Sequence, residues 1–167
     1  MAQPAPIDQG ITWQFPQIYD LRFMRAQYVR HAFPPHAHDY FVLGIIEHGV
    51  QSFTYQRAHL ITLPGRLIVI NPGEIHTGEA ATAAGFTYRA LYPPPQMLAA
   101  LAAEFAVKPA GLPEFSGGIA DDAELFRWMQ RLHHLSETDP PALELEDGLT
   151  RFCVRLLQRH THERFTL

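Results

Sequence analysis

The segment from Leu21 to Tyr92 constrains the fold most, because it consists of short apolar or alternating runs that end at Pro, Gly, Asn or polar residues. Runs of this length between turn residues are typical of all-β domains. The predicted strands are Leu21–Arg30, Phe41–Glu47, Gln51–Arg57, His59–Leu63, Arg66–Ile70 and Phe86–Tyr92. The continuous apolar run Leu67–Ile70 indicates burial on both faces of its strand. This part of the chain therefore predicts a barrel or a sandwich.

The pattern changes after Tyr92, where three prolines end the last strand. Proline is tolerated in the first turn of a helix, and the residues that follow carry apolar stripes at helical spacing. The stripes are Leu98, Leu101 and Phe105; then Leu125, Trp128, Met129, Leu132 and Leu135, opened by Asp121 with Glu124 three residues on; then Leu145, Leu149, Phe152 and Leu156. The segment Lys108–Ala120, rich in Pro and Gly, predicts a loop. We expect residues 1–93 to form an N-terminal arm and a β-barrel, and residues 94–167 to form a helical segment packed on it.

The arm Met1–Gln17 contains Trp13 and Phe15 among scattered prolines. We predict that it is too irregular for a strand. Two interpretations remain open: a moving part that responds to a ligand, or an ordinary segment packed on the barrel.

Composition limits the class of protein. A chain of 167 residues with 47% hydrophobic residues suits one domain with its own core. The single cysteine, Cys153, excludes an intramolecular disulfide framework and is expected in the core. A net charge of −4 argues against a nucleic-acid surface on this chain. No run approaches the roughly 20 apolar residues that span a bilayer, and the N-terminus lacks a secretory signal, so we expect no membrane contact and a cytoplasmic location.

Three histidines form a candidate site. His36 and His38 are two positions apart, so on an extended strand both side chains point to the same face. His76 follows a Pro72-Gly73 turn and could complete the site from a paired strand. Imidazole binds zinc, nickel and iron, and three imidazoles leave a position for water or substrate. The alternative is structural: polar residues at a barrel opening and a histidine that hydrogen-bonds within a turn.

Other side chains near the histidines could line a ligand cavity, which is typically apolar with a few polar groups. With the three histidines, the candidates are Tyr40, Tyr55, Glu74, Tyr88, Arg89 and Tyr92. Period two on the last strand places Tyr88 and Tyr92 with Phe86 on one face and Arg89 on the other, and either face could be the lining. Core packing is the alternative for each aromatic residue, and an ion pair is the alternative for Arg89.

The segments His36–Asp39, Gly44–Gln51, Pro64-Gly65, Asn71–Gly78 and Gly85–Pro93, in this order, resemble the amino-terminal cupin domain of AraC-type transcriptional regulators. The resemblance spans about Ala32 to Pro95. It implies a mainly β fold, a cupin-like barrel of the double-stranded β-helix or jelly-roll kind, followed by C-terminal α-helices. In this family the barrel senses a small-molecule effector.

The resemblance also implies partners. Such regulators bind DNA through a C-terminal helix-turn-helix domain, which we expect to be absent because the chain stops at Leu167. We therefore expect an isolated sensor domain that forms a homodimer. The candidate dimerisation residues are Leu145, Leu149, Phe152 and Leu156, although the same stripe would serve for packing on the chain's own domain.

A rival interpretation is a metal-dependent cupin enzyme, a dioxygenase or isomerase, because His36, His38 and His76 occupy the metal-ligand positions of catalytic cupins. The glutamate of the cupin pattern is missing, since Val42 and Leu43 stand in its place. No catalytic residue is predicted. A stand-alone sugar- or anion-binding cupin is a third interpretation, and the effector could be a sugar, an aromatic acid or a polyol.

Overall fold

The computed structural model describes residues 7–106 and 111–162. The strands are β1 (Gln9–Phe15), β2 (Leu21–Tyr28), β3 (Phe33–His36), β4 (Val42–Gly49), β5 (Gln51–Tyr55), β6 (Ala58–Thr62), β7 (Leu67–Ile70), β8 (His76–Ala80), β9 (Phe86–Tyr92) and β10 (Ile119–Ala120). The helices are α1 (Pro95–Phe105), α2 (Ala123–Ser136) and α3 (Ala142–His160). None of these helices is both long and apolar enough to cross a membrane.

The strands form two antiparallel sheets. The larger sheet has the order β1-β2-β9-β4-β7-β10, and the smaller has the order β3-β8-β5-β6. All ten paired strands lie before α2, and the two longest helices follow them. The predicted fold class, a cupin-like β-barrel followed by C-terminal helices, is confirmed.

The central strands β4 and β7 of the larger sheet are buried on both faces, so this sheet separates two cores. On β4, Val42 and Ile46 belong to the cluster inside the barrel, while Leu43 and Ile45 belong to the cluster shared with the helices. This division follows from the alternation of side chains along a strand. The continuous apolar run of β7 is buried throughout, as predicted.

The third helical stripe lies in the protein's own core. Leu145, Leu149, Phe152 and Leu156 are each 0% exposed and belong to the cluster between the helices and the larger sheet. Their assignment to a dimer interface is therefore wrong, because side chains already covered within the domain offer no surface to a partner. Cys153 is buried in the same cluster, as predicted.

Residues Gln9–Phe15 of the N-terminal arm form a strand, and the prediction that the arm is too irregular for one is wrong. β1 pairs with β2 along its whole length, from Gln9 opposite Gln27 to Phe15 opposite Leu21. The Trp13 indole N–H donates to Ser136 Oγ on α2 at 3.1 Å, which ties this strand to the helices. The period-two pattern of its apolar residues indicated a strand, but the nearby prolines obscured it. The first six residues of the arm lie outside the described residues.

Three further strands escaped prediction. β3 contains Pro34 and Pro35, which argue against a central strand, and the structure places it at the edge of the smaller sheet, where proline is tolerated. β8 follows the Pro72-Gly73 turn, and β10 has two residues at the end of the predicted loop. Helix α2 begins one residue later than expected, because Asp122 accepts the capping hydrogen bond from Leu125 N–H.

Candidate functional site

A cavity of about 250 Å³ lies between the two sheets. Its wall is mainly aromatic and aliphatic, with Tyr28, Phe33, Phe53 and Phe86 among the lining residues. Cavities of about 300–1,000 Å³ accept drug-sized ligands, so this one suits a smaller molecule.

The three histidines meet at one end of this cavity, as the sequence predicted. His36 on β3 is the register partner of His76 on β8, so paired strands bring the two rings together. The ring centroids are 4.3 Å apart for His36 and His76, 4.7 Å for His36 and His38, and 5.2 Å for His38 and His76. One ring nitrogen of each lies within 4.8 Å of the others, so a single metal ion could contact all three. We call this the histidine end of the cavity.

Backbone carbonyls orient two of the three imidazoles. His36 Nδ1 lies 2.7 Å from the carbonyl oxygen of Pro34, and His76 Nδ1 lies 3.0 Å from that of Glu74. A carbonyl only accepts, so each Nδ1 carries the proton and each Nε2 keeps its lone pair. Partners of this kind fix the tautomer of metal-binding histidines.

Two imidazoles of the histidine end, those of His38 and His76, have a lowered pKa. Burial, together with the neighbouring His36, His76 and Arg22, lowers the pKa of His38 to about 4. Burial also lowers the pKa of His76, which is 8% exposed. Neutral imidazole is the form that binds metals or accepts a hydrogen bond from a ligand.

Aromatic rings and one cation surround the histidine end. The His38 ring stacks on the Tyr40 ring at 4.6 Å, and Tyr92 meets Tyr40 edge-on at 5.2 Å. The Arg22 guanidinium carbon lies 5.0 Å from the Tyr40 centroid and 5.4 Å from the Tyr92 centroid. The result is a cation–π contact beside the cavity.

Strand β9 supplies Tyr88 and Tyr92 to the cavity wall, on the same face as Phe86. This is one of the two arrangements that the sequence left open. Burial raises the pKa of both Tyr88 and Tyr92, so their hydroxyl groups stay protonated. The Tyr92 hydroxyl donates to Met24 Sδ at 3.1 Å. Tyr88 packs against Gly44, where an added Cβ would lie 2.6 Å from the tyrosine ring. The glycine thus makes room for Tyr88.

Two predicted ligand residues do not line the cavity. The Tyr55 side chain is 1% exposed, and its hydroxyl accepts a hydrogen bond from the Asn71 side-chain amide at 3.0 Å. Asn71 also bonds the backbone of Phe115, so this network attaches the loop before β10 to the barrel. Glu74 contacts the histidine end through its backbone carbonyl. The Tyr55 side chain therefore serves the core, and the assignment of Glu74 to ligand binding stays a prediction.

Arg89 is a further correction. It lies on the opposite face of β9 from Tyr88, is 5% exposed, and pairs with Glu47 at 2.8 Å (Nε to Oε2) and with Glu137, the C-cap residue of α2. It therefore serves a buried ion-pair cluster between sheet and helix, not a ligand.

Several lining residues were missed, among them Met24 and Tyr28 on β2, Gln51 on β5 and Thr77 on β8. Period two on β2 places Met24 and Tyr28 on one face and would have found them once a barrel was assumed. Gln51 carried no sequence signal, because a polar residue at the start of a strand is usually exposed.

The sequence model of the AraC-like ligand-binding domain matches residues 18–152, most of the chain. The chain belongs to this family. The match includes both sheets apart from β1, and it reaches well into α3. The AraC-like cavity and its histidine end thus lie wholly within the matched residues.

One curated relative of this AraC-like domain is the "Uncharacterized HTH-type transcriptional regulator YbfI" of Bacillus subtilis (strain 168). It is 29% identical over 133 residues, which are 80% of this chain and 48% of the relative. The chain thus spans about half the length of this relative.

Solved structures with a similar barrel include KdgF from a Halomonas species, with a TM-score of 0.45 and 18% identity over 52% of this chain and 78% of that one. Another is a cupin superfamily protein of Desulfitobacterium hafniense DCB-2, with a TM-score of 0.43 and 12% identity over 55% of this chain and 82% of that one.

Proposed function

We propose that this AraC-like domain is the cytoplasmic effector-binding part of a transcription regulator, and that the cavity between its sheets holds the effector. The observation that carries the proposal is the mainly aromatic cavity itself, with convergent histidine and tyrosine groups, in a chain of this family. A preformed apolar cavity with a few placed polar groups is the usual form of a small-molecule site.

Strand β9 offers a route from the cavity to the helices. Its Tyr88 and Tyr92 face the cavity, while Arg89 between them pairs with Glu137, the C-cap residue of α2. A ligand that moves the tyrosines would bias the packing of α2 only by as much as its affinity differs between the two arrangements. This route gives the proposed sensor a physical output.

The proposal includes DNA binding by a helix-turn-helix domain of the whole regulator, in keeping with the name of the Bacillus subtilis relative. A homodimer is also part of the proposal. Because Leu145, Leu149, Phe152 and Leu156 are buried, a dimer would have to use other side chains.

Thermal unfolding with a panel of sugars, polyols, amino acids and aromatic acids tests the proposed sensing function. A ligand at about 100 times its dissociation constant stabilises the folded state by about 2.7 kcal/mol. For a domain of this size each kcal/mol raises Tm by roughly 2–4 °C, so we expect at least one compound to raise Tm by several degrees. A panel in which no compound gives a saturable increase at millimolar concentration contradicts the proposal.

A second candidate function is a metal-dependent cupin enzyme, and the observation that favours it is the close approach of the three imidazoles. The donor set fits a divalent ion such as zinc, nickel or iron, because carbonyl contacts at Nδ1 of His36 and His76 leave the Nε2 lone pairs of both free to bind. When bound, such an ion supplies Lewis-acid chemistry. His36, His38 and His76 would hold it, and the aromatic wall would orient a substrate.

Metal binding is tested with the His76→Ala variant and, as a matched control, the exposed His59→Ala on β6. Loss of a partner outside the ligand shell costs roughly 10–100-fold in metal affinity, and loss of His76 should cost at least as much. We expect zinc and nickel titrations to show unchanged affinity for the control. Equal metal affinity of the two variants would show that His76 is not part of a three-histidine metal site.

A further inference from the structure

Strand β1 forms a long free edge of the larger sheet. It pairs with β2 on one side, and from Gln9 to Gln14 its backbone has no other hydrogen-bond partner among the described residues. On the free side, every second residue therefore offers its N–H and C=O groups to another strand. The residues from Gln9 to Thr12 are all exposed, so no described part of the chain covers this edge.

The other three sheet edges carry features that hinder pairing. β10 has only two residues, and β3 contains two prolines and an irregular register. β6 has five residues and follows directly on Arg57. Short edges, prolines, bulges and charged side chains are the usual devices against edge-to-edge pairing. β1 has seven residues in an unbroken register, with no proline and no charged residue, so it has none of these devices.

The apolar side chains of this segment recur with period two. Trp13 and Phe15 pack on the core between the helices and the larger sheet. Ile11 lies on the same face of the strand but is 57% exposed, and Ile7, in the same phase just before β1, is 69% exposed. An open groove of about 310 Å³ borders Ile11 on this face. The isoleucines therefore extend the apolar face of the sheet beyond the helices that cover the rest of it.

A second copy of the chain is the partner whose charge and pattern this edge fits. Two identical antiparallel strands related by a two-fold axis bring residues of the same strand opposite each other, and like charges in such pairs are destabilising. A strand without charges avoids this repulsion. An axis at Ile11 places Ile11 opposite its own copy and Ile7 opposite Phe15 of the second copy, so both exposed isoleucines gain an apolar neighbour. The nearest charged residue, Asp8, lies opposite Gln14 in this register.

We infer that the chain forms a homodimer by antiparallel pairing of β1 with β1 of a second copy, with Ile11 at the two-fold axis. The two larger sheets then form one continuous sheet. β2, the neighbour of β1, carries the cavity residues Met24 and Tyr28, so the interface lies one strand away from the cavity. The inference rests on the homodimer of the proposed function and names its surface.

Sedimentation equilibrium of the unaltered chain, Ile11→Lys and the control Ile61→Lys tests this interface. Ile61 lies on the edge strand β6 and is 51% exposed, so it matches Ile11 in exposure. In Ile11→Lys two lysines meet at the axis and two isoleucine contacts are lost. We expect the dimer dissociation constant to rise at least about 10-fold, which corresponds to about 1.4 kcal/mol. The control should dimerise like the unaltered chain. A folded Ile11→Lys that dimerises as tightly as the unaltered chain overturns the inference.

Ileu11 can also be tested by charge reversal, with Ile11→Glu as the second variant. Each variant alone places like charges at the axis, whereas a mixture of Ile11→Lys and Ile11→Glu places opposite charges there. We expect native mass spectrometry of the mixture to show a heterodimer that is more abundant than either homodimer. A mixture that associates no more tightly than the separate variants overturns the inferred register.

Hydrogen exchange of the unaltered chain decides the question even if these variants do not fold. Pairing protects the amides on the free side of β1 only in the dimer, so exchange in the peptide that contains Gln9–Phe15 should slow as the protein concentration is raised. Exchange in the β6 peptide should stay unchanged. A chain that dimerises while exchange in β1 does not depend on concentration overturns the inference.

The interface and the proposed function fail differently. If the chain dimerises without protection of β1, the dimer uses another surface, and only the inference is wrong. If the chain is a monomer even at millimolar concentration, both the interface and the homodimer are contradicted. Effector binding, measured by thermal unfolding of the same domain, is decided independently of either result.

Discussion

Replacing Arg89 with methionine is expected to lower the free energy of unfolding by about 3–5 kcal/mol, the usual cost of removing one partner of a buried ion pair. The guanidinium is nearly inaccessible and lies between the carboxylates of Glu47 and Glu137, whose side chains are 14% and 28% exposed. Without Arg89, two carboxylates would face each other beside the core. Urea unfolding followed by fluorescence measures the change.

The matched control is Arg25→Met. Arg25 also pairs with Glu137, at 3.1 Å, but its side chain is 46% exposed. Exposed pairs contribute less than about 1 kcal/mol, so this variant should lose little stability. Adding Glu47→Gln to Arg89→Met should recover part of the loss, because it removes one of the unpaired charges. Equal losses for the two arginine variants would show that the cluster is not the stabilising element described here.

Replacing Gly49 with alanine is expected to cost about 2–5 kcal/mol. Gly49 has φ of +80° at the turn between β4 and β5, a conformation that costs other residues roughly 1–2 kcal/mol. Its Cβ would also lie 2.1 Å from the Gly85 carbonyl oxygen and 2.8 Å from the Phe86 Cα. These are backbone atoms, and the resulting overpacking adds about 1–3 kcal/mol.

The control Gly117→Ala separates the two contributions. Gly117 has nearly the same φ, +82°, but no atom lies within 4 Å of its Cβ position. We expect this variant to lose only the roughly 1–2 kcal/mol of backbone strain. Chemical unfolding of both variants measures the difference. Equal losses in the free energy of unfolding would contradict the close approach of Gly49 to the backbone of Gly85 and Phe86.

Much of the fold was predictable because the spacing of apolar residues along the chain depends only on the local type of secondary structure. The six predicted strands and all three helical stripes correspond to elements of the structure. The convergence of His36, His38 and His76 was also predicted, from the common face that a two-residue spacing gives on an extended chain. In the structure β3 ends at His36, and His38 lies two residues beyond that end. The turn before β8 then needed only to bring His76 opposite His36.

What failed depends on long-range contacts. The alternation of residues along β9 predicts two faces but does not say which face meets the cavity. Arg89 was therefore assigned to ligand binding, whereas its ion-pair partners, Glu47 and Glu137, lie 42 and 48 residues away in the sequence. The stripe on α3 looks the same whether it packs on its own domain or on a second copy. Gln51 lines the cavity because β5 pairs with β8, and this pairing is a contact between segments distant in the sequence.

Effector binding in the cavity between the sheets is tested most directly by methyl NMR of the domain, titrated with the compounds that stabilise it. We expect saturable shifts for the methyl groups of Val42, Ile68 and Ile70, which line the cavity. Leu149 and Leu156, in the core between the helices and the larger sheet, are internal controls whose methyl signals should move little. Shifts confined to that core, or no saturable shift in the cavity methyl groups, would contradict effector binding in the cavity.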